Sequence, residues 1–142
     1  MSEIPETGER RHSPRHKIKL AVDLVLENGT ILPATSRFIS GTGIQVFCDS
    51  WVTDEIEPRG IQVHSVSHIK LKTVAELPVN HTHNKLYAHC KIVSVQRLSQ
   101  NEFALNLAFT GFENGTEQVL DSFLSLYQQR KIRVETIDLT DY

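Results

Sequence analysis

Ile18, Leu20, Val22, Leu24 and Leu26 alternate without a gap against Lys17, Lys19, Ala21, Asp23 and Glu27, and Asn28-Gly29 follows at once. Successive side chains of a strand point to opposite faces, so this period of two predicts a strand from Lys17 to Leu26 with one buried face. Asn and Gly both tolerate positive φ, which a tight hairpin demands, and a return strand is expected from about Ile31 to Ile39. Ser40-Gly41-Thr42-Gly43 reads as a second turn, leading to a third strand with Ile44, Val46 and Cys48 on one side.

The same alternation recurs in Leu86, Ala88, Cys90 and Ile92 and in Phe103, Leu105, Leu107 and Phe109. A change of side near Val93 and Val95 predicts a bulge. Between these runs, Asp49 to Gly60 reads as a connecting loop anchored by Trp51, Ile61 to Thr73 as a long, wetter strand, and Leu77 to Lys85, which contains Pro78, as a turn. After Gly111 the period changes. Val119, Leu120, Phe123, Leu124 and Tyr127 form the stripe of an amphipathic helix, with Asn114 and Glu117 as a capping box at its start. Six strands in meander order followed by one helix define a mainly β fold, a six-stranded antiparallel barrel with a C-terminal α-helix over one opening. Curling removes the exposed edges that an open sheet of this kind would carry.

The 142 residues suit a single domain over 9–130, with a flexible N-terminus over 1–8 and a tail over 131–142 in which Ile132, Val134 and Ile137 could add a marginal strand. A net charge of -2 and an aromatic content of 7% argue against a general nucleic-acid binder, which needs an excess of Lys and Arg or a basic, aromatic strand face. Met1 to Glu9 lacks the apolar run of a signal peptide, and no stretch approaches the roughly 18 apolar residues of a membrane span, so a cytoplasmic location without membrane insertion is expected. Cys48 and Cys90 lie inside strand patterns and read as reduced, small hydrophobic side chains. His64, His68, His81, His83 and His89 fit no zinc spacing, and no nucleophile, base and orienting group emerge together, so neither a metal site nor an enzyme is expected.

Chemistry concentrates instead at the head of the chain, where Gly8 to His16 carries Arg10, Arg11 and Arg15 around Pro14. The proline disfavours a helix interior, so these guanidinium groups sit on a loop leading into a rigid scaffold. Arg11-x-x-x-Arg15 ahead of the first strand and Phe38-x-Ser40-x-x-Gly43 after the second resemble the motif pair of the PilZ domain family of bacterial cyclic di-GMP receptors, over roughly residues 9 to 128. That resemblance implies a six-stranded barrel and cyclic di-GMP as ligand, with no cofactor. Arg10, Arg11, Arg15, Phe38, Ser40 and Gly43 would form the site, and a downstream protein not identified by the sequence would read the outcome. An arginine fork can pair bidentately with a phosphate or with guanine O6 and N7, which a lysine cannot copy. Ser40 would offer a hydroxyl, and Gly43 would shape the turn and admit the ligand close to the backbone.

Phe38 departs from the motif, which has Asp or Asn at that position to accept from the guanine N1–H and N2–H edge. Loss of such a bond costs about 1.5 to 3 kcal/mol, whereas stacking of a base on the ring returns about 1 to 3 kcal/mol without reading that edge. Two functions therefore follow from the resemblance. One is a cyclic di-GMP receptor with altered base discrimination, whose arginine arm closes over the ligand. The other is an adaptor that no longer uses nucleotide and acts through protein contacts, for example in pilus or motility assembly.

Overall fold

The computed structural model describes residues 14–140, and the side chains of 14–129. Its elements are β1 (His16–Lys17), β2 (Ala21–Leu26), β3 (Ile31–Ile39), β4 (Gly43–Asp49), α1 (Ser50–Ile56), β5 (Lys70–Val79), β6 (Thr82–Arg97), β7 (Glu102–Phe112) and α2 (Glu117–Thr140). The expected barrel is present. Six antiparallel strands run in the order β3-β2-β5-β6-β7-β4, and pairing of β3 with β4 closes the ring, with β1 as a short extra strand on β3. Alternate residues of each strand face inward. Leu24 and Leu105 are completely buried, and burying a side chain of this size contributes about 1.5 to 3 kcal/mol.

The meander fails at one connection, because β4 and β5 are not neighbours and β5 pairs with β2 and β6. The chain between them is not the expected loop: α1 buries Val52, and Ile61 enters the core from the turns that follow. Trp51, expected as the anchor, is half exposed at 50%. Glu57 ends α1 by donating its backbone N–H to Thr53 O, and its carboxylate takes the Arg59 fork at 2.8 and 3.0 Å. The Arg59 hydrogen bonds lower the pKa of that carboxyl to about 2.

The strand expected over Ile61 to Thr73 begins instead at Lys70, because Gln62, His64, Ser65, Ser67 and His68 are exposed and supply no inward face. It then runs through Pro78 to Val79, where a turn was expected. β5 pairs with β2 only over Leu71 to Ala75, so at Pro78 that edge is free and the missing N–H breaks no bond on that side. The reversal is confined to Asn80 and His81, both left-handed at φ of 51° and 68°.

The predicted apolar stripe of α2 is buried at Leu120 and Phe123, and the helix packs on β5 and β6. Its start lies later than the expected capping box. Asn114 takes φ of +58° in the preceding turn, and Thr116 O accepts from the N–H groups of Val119 and Leu120. The Thr116 hydroxyl accepts from Tyr87 N at 3.1 Å and donates to Glu113 O at 2.8 Å, which ties the helix start to β6. Beyond Arg130, where a tail was expected, the backbone continues as α2 through Thr140.

Candidate functional site

The site begins with an irregularity in β3. Ser36 pairs with Val46 but Phe38 pairs with Gln45, which leaves Arg37 as an extra residue in the ladder. Leu32, Ala34 and Ser36 face inward, and strict alternation would send Phe38 in after them; the bulge buries Ile39 instead and turns Phe38 out. The same bulge interrupts the strand expected from Lys17 to Leu26. β1 and β2 both pair with β3 but are separated by 18–20, where Ser36 Oγ donates to Ile18 O at 2.6 Å and accepts from Leu20 N at 2.9 Å.

Because Lys17 pairs with Phe38 and His16 with Ile39, the root of the arginine arm is fastened to the end of β3. Arg15 therefore reaches the Phe38 ring, its guanidinium 4.4 Å from the centroid. Arg37, which sequence reasoning did not single out, lies 5.1 Å from the same centroid and 5.3 Å from that of Phe47. Such contacts contribute about 0.5 to 1 kcal/mol each at exposed positions. The root is also held from the other side. Tyr127 of α2 donates its hydroxyl to Lys17 O at 3.0 Å and packs edge-on against the His16 ring at 5.3 Å.

Ser40 is buried, and its hydroxyl oxygen shapes its own turn by accepting from Thr42 N at 3.1 Å and Gly43 N at 3.2 Å. Gly43 is not required by a left-handed backbone, since its φ is not positive. Its requirement comes from β7: a Cβ there would overlap the Leu107 carbonyl oxygen.

Arg15, Phe38, Ser40 and Gly43 thus line one groove of about 220 Å³, together with Thr42, Gln45, Val93 and Asn106. Arg10 and Arg11 lie outside the described residues. Val93 is the extra residue of the expected bulge in β6 and is 59% exposed at the groove wall. Gln45, Asn106 and Ser94 stand in register on β4, β7 and β6, with Gln45 Nε2 donating to Asn106 Oδ1 at 2.9 Å and Asn106 Nδ2 to Ser94 Oγ at 2.8 Å. A larger cavity, about 620 Å³, lies between the β2–β3 hairpin and β5 and is not lined by Arg15; its Lys72 and His89 are both paired with Glu113. Cys48 and Cys90 are buried, and burial raises their thiol pKa to about 12 and about 11, so neither is a thiolate nucleophile at neutral pH.

These features define a small closed antiparallel barrel with Arg15, just ahead of β1, set beside the turn between β3 and β4. The PilZ domain model matches residues 9–126, and the chain belongs to the PilZ domain family. In structure it is similar to the inhibitor of motility MotI/DgrA of Bacillus subtilis, at a TM-score of 0.62 and 17% identity over 87% of this chain and 52% of that one. It is also similar to the Borreliella burgdorferi PlzA protein, solved in complex with c-di-GMP, at 0.55 and 10% identity over 91% of this chain and 56% of that one. The chain spans about half the length of both. No curated protein matches it in sequence. Among the described residues, no helix is long and apolar enough to cross a membrane.

Proposed function

We propose that this domain is a cytoplasmic cyclic di-GMP receptor that transmits ligand binding to a partner protein and catalyses no reaction. The observation that carries the reading is the meeting of the Arg15 guanidinium with the Ser40 turn and Gly43 on one groove, although Arg15 and Ser40 are 25 residues apart in the chain. PlzA, a similar fold, was solved with c-di-GMP, which supports the choice of ligand. In this reading the Arg15 fork pairs with a phosphate or with guanine O6 and N7, and Arg10 and Arg11 add charge from the arm. The Phe38 ring holds Arg15 ready before the ligand arrives, which lowers the ordering cost of binding. Closure of the arm is passed to α2 through the Lys17 and His16 contacts with Tyr127.

A second reading, a PilZ adaptor that acts only through protein contacts, is favoured by one observation: the Phe38 ring is already covered by two guanidinium groups and offers no acceptor to a base. Titration calorimetry separates the two. Saturable heat is expected with cyclic di-GMP, weaker heat with cyclic di-AMP and none with GMP. Equal heats for the first two would remove guanine recognition from the proposal, and no heat with any would leave the adaptor. Amide exchange across residues 8 to 16 is expected to slow on saturation with cyclic di-GMP; exchange that ligand leaves unchanged would remove arm closure from the mechanism.

A further inference from the structure

We infer that Gln45 reads the guanine edge, in place of the acceptor that Phe38 does not have. The inference rests on the receptor reading above and assigns base discrimination to a residue outside the two motifs. Gln45 is the direct cross-strand partner of Phe38, and side chains in that relation stand about 4.5 to 5.5 Å apart at Cβ. An acceptor missing at position 38 is therefore supplied one strand over, on the same groove.

The row continues from Phe38 through Gln45 and Asn106 to Ser94 across four strands, and its hydrogen bonds all run one way. Gln45 donates to Asn106, and Asn106 donates to Ser94, so both amide nitrogens are committed away from Phe38. The acceptor at the head of the row, Gln45 Oε1, is buried and has no hydrogen-bond partner. A buried orphan acceptor is unfavourable unless something supplies a donor, and turning over the Gln45 amide alone would set its oxygen against Asn106 Oδ1. Donors are what the guanine edge offers, at N1–H and N2–H. Adenine carries a lone pair at N1, so an oxygen set against that position attracts guanine and repels adenine. Sites built around such a bond reject the analogue that lacks it.

Calorimetry on the full chain with cyclic di-GMP and cyclic di-AMP tests this. Gln45→Leu is expected to weaken cyclic di-GMP binding about three- to tenfold, the worth of one neutral hydrogen bond, while cyclic di-AMP binding stays level or improves. The ratio of the two affinities, which a general loss of structure would not move, falls by at least the same factor. Gln45→Asn keeps an amide in the row but withdraws it by one methylene, and is expected to lower the ratio too. Adding Phe38→Asp to Gln45→Leu is expected to restore it. An unchanged ratio in either single variant, with the fold intact by thermal melting, overturns the assignment and leaves the receptor reading standing. A wild-type protein that binds neither nucleotide overturns both.

Discussion

Arg15→Ala is expected to weaken cyclic di-GMP binding about a hundredfold while changing stability by less than about 1 kcal/mol. The affinity loss follows from removing a fork whose charge-assisted bonds are worth about 1.5 to 3 kcal/mol each, of which water recovers a part because Arg15 is exposed when free. The small stability effect follows from the same exposure, since the exposed guanidinium stacks on the Phe38 ring and such a contact is worth about 0.5 to 1 kcal/mol. Arg15→Lys separates charge from shape. It keeps the cation but not the planar pair of donors, and is expected to regain only a minor part of the affinity. Calorimetry paired with urea unfolding of the same variants reads both quantities. Binding by Arg15→Ala at wild-type strength would remove the arm from the site.

Gly43→Ala is expected to destabilise the barrel by about 3 kcal/mol and to take nucleotide binding with it. The new Cβ would meet a backbone oxygen of Leu107, not the end of a flexible side chain, so relief requires β4 and β7 to part. Those strands are paired continuously from Gly43 with Ala108 to Asp49 with Glu102 and sit in a closed ring, where a local displacement propagates to both neighbours. The Ser40 turn, held by the Gly43 N–H and docked through Thr42 O on Phe109 N, would shift at the same time. Equilibrium urea unfolding checks the first effect and calorimetry the second. A variant as stable as wild type would show that the two strands can separate there without penalty.

The fold was largely legible in the chain because a period of two is written in neighbouring residues. The hairpin at Asn28-Gly29, the bulge at Val93 and the stripe of α2 from Val119 to Tyr127 are all local signals, and each has its counterpart in the structure. The misreadings share a cause. α1 is too short to display a helical period, and Pro78 looks like a turn residue until its edge of β5 is known to be free. Asn114 satisfies the spacing of a cap but is used for its positive φ, while Thr116 begins the helix.

Of the candidate site, Arg15, Phe38, Ser40 and Gly43 could be named through the resemblance to the PilZ motif pair, because the two motifs are short and contiguous. Gln45, Asn106 and Val93 could not. Gln45 and Asn106 are 61 residues apart, and an isolated Gln or Asn in a strand carries no signal of its own. Arg37 was not singled out either, yet as the extra residue of β3 it decides which way Phe38 points.

By itself, then, the amino-acid order determined which segments have one apolar face, where the chain reverses and which guanidinium groups precede the first strand. Those properties follow from backbone geometry within a few residues. Tertiary structure alone decided that β5 returns to β2 across two strands, that β4 pairs with β7, and that an amide row meets Phe38 on a shared groove. Each depends on register between distant strands, which no stretch of sequence encodes alone because it is set jointly by both partners and by closure of the ring.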